Sequence, residues 1–234
     1  MAEITRKELI LALIASSGSP RLAGVDLSEL NLSYLDLNSG NLFHVNLSGA
    51  NLNGANLNGA DLNEANLFRA NLNGAQLAGA VLRKADLRRA QARSSNLYGV
   101  DLSGANLSTA ALRGSDLRRS DLRGADLSGS DLTSANLNGS NLSGANLRGA
   151  NLRGADLRGA NLSAASLSEA YAGGAAEFPA QLAQVILDES TLMPDGSRCL
   201  HPPAAARPME PAPEAEARGI GGLAAALRAG LEPG

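Results

Sequence analysis

Arg83, Lys84, Arg88, Arg89 and Arg93 crowd into one short stretch, and Arg113, Arg118, Arg119 and Arg123 follow closely. Guanidinium groups at this density suit one kind of chemistry, the binding of anions, because each offers a planar fork of donors that matches a carboxylate or a phosphate. Nucleic acid fits this band poorly. Aromatic residues make up 3% of the chain, there is no Trp for base stacking, and the net charge is −3. Two readings remain. In one, Asp86, Asp101, Asp116, Asp121 and Asp126 pair with the arginines on a solvated surface, each pair contributing little. In the other, the band docks an acidic protein. We take the second as the working expectation, with Arg83, Lys84, Arg88, Arg89, Arg93 and Arg113 as candidate protein-binding residues.

Other reactive side chains form no constellation. His44 has no Cys, His or acidic cluster beside it in sequence, and Cys199-Leu200-His201 lacks further ligands for a metal. The glycines recur at a fixed spacing and do not open a helix, so they make no phosphate loop. The expectation is a protein that is not an enzyme and needs no cofactor and no metal. A single Cys excludes an internal disulfide and fits a reducing, cytoplasmic compartment. No apolar run approaches the roughly 20 residues of a membrane span.

The arginines sit on a repeat. Leu recurs at every fifth position from Leu22 to Leu167, 30 positions of which 29 are Leu and one is Ala92. Ala stands two places before the Leu, Asn or Asp between them, and Gly is abundant at the two places after it. An extended backbone points Ala and Leu to one side. The next three residues must return the chain to that side, so each unit needs a short straight piece and a corner, and Gly tolerates the corner. A chain that turns the same way every five residues winds into a coil with Leu and Ala on its axis, and stacked coils share a continuous core.

These A(D/N)LXX units resemble the pentapeptide-repeat proteins. The resemblance covers about two thirds of the chain and implies an all-β solenoid, a right-handed quadrilateral β-helix with 20 residues per coil, of about 7–9 coils here. Some members of that family imitate B-form DNA and protect DNA gyrase. A stack roughly 40 Å long would need on the order of 24 uncompensated negative charges for that. This chain has 23 Asp plus Glu against 20 Lys plus Arg. Topoisomerase protection by DNA mimicry is therefore the alternative, and a non-catalytic, rod-like scaffold that binds protein is the expectation.

The register also predicts which side chains stack. At 20 residues per coil, Asn31, Asn51 and Asn71 form a ladder, Arg93 lies beside Arg113, and Arg83 shares a face with Ser103 and Arg123. Ala92 is a local weak point in the core. Residues 1–19 read as a capping helix with a Thr5/Glu8 capping box, an Ile4–Leu9 staple and a stop at Gly18. Arg6 and Lys7 before Leu9 to Ala15 leave export as the lesser reading, because the apolar segment is short and Glu8 abuts it. Residues 20–170 are the repeat, in which Val25, Leu30, Leu35 and Val45 enlarge the first coils and Tyr34, Phe43 and His44 fall at corners. Residues 171–198 form an irregular last coil and cap, in which Leu182, Leu187 and Leu192 keep the phase and Met193-Pro-Asp-Gly196 ends the stack. Residues 199–234 form a Pro/Ala/Glu-rich disordered tail with a short helix through Leu223, Ala226 and Leu227 that could dock elsewhere. A homodimer through a flat face or that helix stays open.

Overall fold

The structure, a computed structural model, describes Thr5 and residues 7–10, 19–171 and 185–199. Each five-residue unit contributes one parallel bridge at its Asn or Asp position, and its partner lies 20 residues further on: Arg21 with Asn41, Asp26 with Asn46, Asn31 with Asn51, Asp36 with Asn56. Four such columns run along the stack, so each coil has four sides of five residues. We number these faces 1 to 4 by the columns that begin at Leu22, Leu27, Leu32 and Leu37.

Backbone hydrogen bonds account for the spacing. Within a unit, the N–H at the Ala position donates to the preceding Leu carbonyl, as Ala55 does to Leu52 at 3.0 Å, and closes the corner. Between coils, Leu52 donates to Asn71 at 2.7 Å, Gly54 to Asn73 at 3.0 Å, and Asn71 back to Ala50 at 2.9 Å. The second residue after Leu has a positive φ in every unit from Gly24 to Glu169, as the third residue of a type II turn must. That explains the Gly enrichment, yet Glu29, Arg89, Thr109 and Arg119 hold the same conformation with φ near 60°.

The Asn or Asp of the unit has its own task. Its Oδ1 accepts the N–H two residues on, as in Asn71 to Asn73 at 3.2 Å and Asp86 to Arg88 at 3.0 Å, an Asx turn that leads the chain into the corner. The amide nitrogen of Asn also reaches the coil before it: Asn51 donates to Asn31 at 3.3 Å and Asn71 to Asn51 at 3.1 Å, which is the expected ladder. In three units where the Asn or Asp is missing, the coil before supplies a substitute. Asn58, Asn63 and Asn73 accept the N–H of Ala78, Arg83 and Arg93 in the units of Gln76, Val81 and Gln91.

The axis of the stack is filled by the Leu columns, with Leu27 to Leu167 buried. Each buried Leu is worth about 1.5–3 kcal/mol. Ala92 continues the face 3 column without a kink or bulge: Gln91 bridges to both Asn71 and Ala111. Its corner is loose, with Ser95 N–H 3.5 Å from the Ala92 carbonyl, and the Ser95 hydroxyl donates to that same carbonyl at 2.7 Å.

At the N-terminal end, Thr5 and Glu8 make the expected capping box: Thr5 N–H and Oγ donate to the Glu8 carboxylate, and Glu8 N–H donates back to Thr5 Oγ at 3.2 Å. Leu9 is fully buried as part of the core, against which Val25, Leu30 and Leu35 are also packed. Tyr34 and Phe43 are exposed at their corners.

At the other end the register changes. Asn161 pairs with Ile186 and Ser166 with Leu192, so the step lengthens from 20 to 25 and then 26 residues. Leu187 takes the Leu position, as expected, but Leu192 does not. The turn after Asp188 holds one more residue, stitched by Asp188 Oδ1 to the N–H groups of Ala164, Ser190 and Thr191. Thr191 is therefore buried at the Ala position, Leu192 takes the bridging position, and Met193 packs partly against the core. An antiparallel bridge from Leu192 to Arg198 across the Met193–Gly196 turn closes the described stack. The Ile4 staple, the Gly18 stop, the irregular unit near Gly173 to Pro179, Leu182 and the tail from Leu200 lie outside the described residues.

Candidate functional site

The first residue after each Leu and the Asn or Asp before it point outward, so chemistry on this fold is a matter of which side chains stack on which face. The six candidate cations divide among three faces. Arg83 and Lys84 belong to face 1, Arg88 to face 2, Arg89 to the corner between faces 2 and 3, and Arg93 and Arg113 to face 3. Arg93 and Arg113 are stacked neighbours, and Arg83 lines up with Ser103 and Arg123, as the register predicts.

Neutralisation separates them further. Arg88 forks onto Asp86 of its own unit, at 2.9 and 2.7 Å, and its guanidinium lies 5.5 Å from the Phe68 ring centroid one coil earlier. Arg118 does the same with Asp116 and Tyr98. Arg123 pairs with Asp121 and Arg158 with Asp156. The sequence D-L-R thus builds a local ion pair, because the two side chains flank one inward Leu and emerge side by side. Arg83 pairs instead with Asp101 in the next coil, and Arg148 with Glu169. Among the described residues Asp126 takes no arginine; its Oδ1 accepts the Asn146 amide at 3.0 Å. The Arg88, Arg118 and Arg158 guanidiniums hold the carboxyls of Asp86, Asp116 and Asp156 below the usual carboxylate range.

Face 3 differs. Its outward column at the Asn/Asp position reads Asn31, Asn51, Asn71, Gln91, Ala111, Asp131, Asn151 and Tyr171, and the next column reads Ser33, Asn53, Asn73, Arg93, Arg113, Thr133 and Arg153. Asp131 is its one carboxylate, and the amide and hydroxyl of Thr133 both donate to it. Arg93 donates to the neutral Gln91 side chain at 3.2 Å, and neither Arg113 nor Arg153 has an ion pair among the described residues. Three exposed guanidiniums therefore share a face with one carboxylate. Arg153 was not among the candidates, although its place 40 residues from Arg113 on the same register marks it.

His44 Nε2 lies 3.1 Å from Glu64 Oε2, an ordinary exposed contact one coil apart. Cys199 is buried and forms no disulfide among the described residues. Among the described residues no group of His, Cys, Asp or Glu could hold a metal ion, and no helix is long and apolar enough to cross a membrane.

Comparison with known proteins bears on this architecture. The family described as Pentapeptide repeats matches in 8 copies over residues 41–72, 70–108, 101–139, 110–149 and 140–175. Among solved structures, HetL, a pentapeptide repeat protein involved in heterocyst differentiation regulation from the cyanobacterium Nostoc sp. strain PCC 7120, is 33% identical. It covers 76% of this chain and 80% of its own, with a TM-score of 0.49. Rfr23 from the cyanobacterium Cyanothece 51142 is 38% identical over 46% of this chain and 63% of its own, TM-score 0.29. QnrB1, a plasmid-mediated fluoroquinolone resistance protein, is 21% identical over 73% and 92%, TM-score 0.40. Curated proteins give no match. With the five-residue unit, the four bridged columns and the family match all in agreement, the chain belongs to the pentapeptide repeat family and folds as a right-handed β-helix solenoid.

Proposed function

We propose that this protein is a non-catalytic rod that binds an acidic protein partner along face 3, in the cytoplasm. The observation that carries this reading is the charge imbalance of that face: Arg93, Arg113 and Arg153 against Asp131 alone. Exposed arginines already held by carboxylates have little left to offer a partner, whereas unpaired ones lose only water on binding. Arg89, at the corner leading into face 3, adds a fourth cation. Arg83 and Arg88, held by Asp101 and Asp86, fall outside the proposed surface.

The pairing pattern also supports protein binding over imitation of DNA. Asp86, Asp101, Asp116, Asp121 and Asp156 each hold an arginine, so the rod carries alternating charge where a DNA mimic needs an unbroken anionic surface.

Affinity capture from the source cell's lysate tests this with two variants. Ser at Arg93, Arg113 and Arg153 should release the partner, and rising salt should weaken it in the wild type. Ser at Arg83 and Arg88 should leave capture intact. A partner lost from the second variant and kept by the first, or a partner identified as gyrase with dose-dependent inhibition of supercoiling, overturns the reading.

A further inference from the structure

The Asx turn is the repeating device of this fold, and one internal unit lacks it without compensation. Ala111 occupies the Asn/Asp position on face 3, so nothing in its own unit accepts the Arg113 N–H. In the units of Gln76, Val81 and Gln91 an Asn one coil earlier accepts the corresponding N–H. Behind Arg113 stands Arg93, a donor, which cannot do so. Among the described residues the Arg113 N–H has no acceptor. Ala23 and Ser168 are the other two such cases in the repeat, and they lie in its first and last coils.

What surrounds Ala111 is cationic on one side. Gln91 bridges to Ala111 from the coil before, and it holds the Arg93 guanidinium at 3.2 Å. The Arg113 guanidinium belongs to the same unit as Ala111 and has no carboxylate partner among the described residues. Asp131 bridges to Ala111 from the coil after, and its Oδ1 is engaged by Thr133. Two guanidiniums and a backbone N–H thus share this part of the face with one carboxylate that is already hydrogen-bonded.

We propose that Ala111 is the seat of a carboxylate side chain from an acidic segment of the partner, which accepts the Arg113 N–H in the way that Asp or Asn does in the neighbouring units, with Arg93 and Arg113 supplying the charge. This rests on the reading of face 3 given above. It adds a position and a chemistry: recognition by completing the repeat's own hydrogen-bond pattern in trans. A charge-assisted bond to a backbone N–H is directional, so it fixes register along a rod whose faces otherwise repeat every coil.

The test uses the full chain with acetyl-hexaglutamate-amide as probe and acetyl-hexaglutamine-amide as control. The amide resonance of Arg113 is followed by NMR, with those of Arg118 and Arg123, whose N–H groups are occupied by Asp116 and Asp121, as internal references. Hexaglutamate should shift Arg113 saturably and more than the references, and hexaglutamine should not. Ala111→Asn, which is neutral and restores the cap, should abolish the Arg113 shift and weaken the peptide about tenfold, equivalent to about 1.4 kcal/mol. If Ala111→Asn keeps full affinity while Ser at Arg93 and Arg113 removes it, the face stands and the seat at Ala111 is overturned. If those Ser substitutions leave binding unchanged, both readings fall. An equal shift with hexaglutamine overturns the assignment of a carboxylate.

Discussion

Asn73 Oδ1 accepts the backbone N–H of Arg93 at 2.8 Å from one coil away. Arg93 needs this because Gln91 stands where an Asn or Asp would cap it; one methylene longer, Gln91 turns its carbonyl to Asn73 and Arg93 side chains instead. The same substitution in trans joins Asn58 to Ala78 and Asn63 to Arg83. Position-by-position reading of the repeat misses this coupling, since it links two residues 20 apart. Asn73→Ala should cost about 0.5–1 kcal/mol in the wild type and close to nothing in a Gln91→Asn background, where the local cap is restored. Chemical denaturation of the four proteins of this cycle measures it. Equal costs in both backgrounds would show that Asn73 does not act through the Arg93 N–H.

Much of this fold is readable from sequence because its physics is local and repeated. The Leu spacing and the corner after each Leu follow from one unit, while the 20-residue register, which the family resemblance implies, predicts the Asn ladder and the neighbours of Arg93 and Arg83. The slip at Asp188 was not readable: Leu182, Leu187 and Leu192 keep the period, yet the turn from Asp188 to Thr191 takes an extra residue and moves Leu192 to the bridging position. Nor was the division of the arginines. A cluster in sequence becomes a ring around four faces, and whether each guanidinium is spent depends on Asp at two residues before it, as for Arg88, or one coil on, as for Arg83. Ala111 becomes informative only through the register, which places Arg93 rather than an Asn behind Arg113.

Thr109 holds φ at 58° at a corner where the left-handed region is required. A β-branched residue is a poor occupant of that region, which costs L-residues about 1–2 kcal/mol. Its methyl group is uncrowded toward the neighbouring coil, where even a Cβ added at Gly129 would lie 3.5 Å from Thr109 Cγ2. Thr109→Gly should therefore stabilise the rod by about 0.5–1 kcal/mol after the greater chain entropy of Gly is subtracted. Gly124→Thr, at φ 62°, should destabilise it by a similar or larger amount. Urea midpoints for the two variants decide the matter. A loss on Thr109→Gly would mean that the Thr side chain contributes more than its corner costs.

The ion pairs of Asp86, Asp116 and Asp156 have a pH signature. Hydrogen bonds from Arg88, Arg118 and Arg158 hold these carboxyls below their ordinary values in the folded chain. The unfolded chain therefore takes up protons first as the pH falls. The pairs' contribution is complete above the ordinary carboxylate range and is lost as the pH drops through it toward the lowered folded values. Asn at all three positions keeps the Asx turns, which need only a carbonyl oxygen, and removes the ionisation. The triple variant should lose less stability than the wild type between about pH 6 and pH 3, with the curves converging at the acid end. Parallel curves would show that these exposed pairs contribute nothing measurable, an outcome known for many surface pairs.

Ser replaces Ala at the inward position in several units, and the hydroxyl must then find an acceptor. Ser115, Ser120 and Ser140 donate to the carbonyls of Leu112, Leu117 and Leu137 at 2.7, 2.6 and 2.7 Å, three residues back across their own corners. Ser130 is equally buried and its Oγ has no partner among the described residues. A buried hydroxyl without a hydrogen bond costs about 1–3 kcal/mol, and Ala fills this position in most units at no polar cost. Ser130→Ala should therefore raise stability by about 1 kcal/mol, whereas Ser120→Ala should change it by less than about 0.5 kcal/mol, since there a hydrogen bond is lost along with the hydroxyl. Thermal and urea unfolding of the two variants separate the cases, and equal shifts would mean that the Ser130 hydroxyl rotates onto the Leu127 carbonyl as its counterparts do.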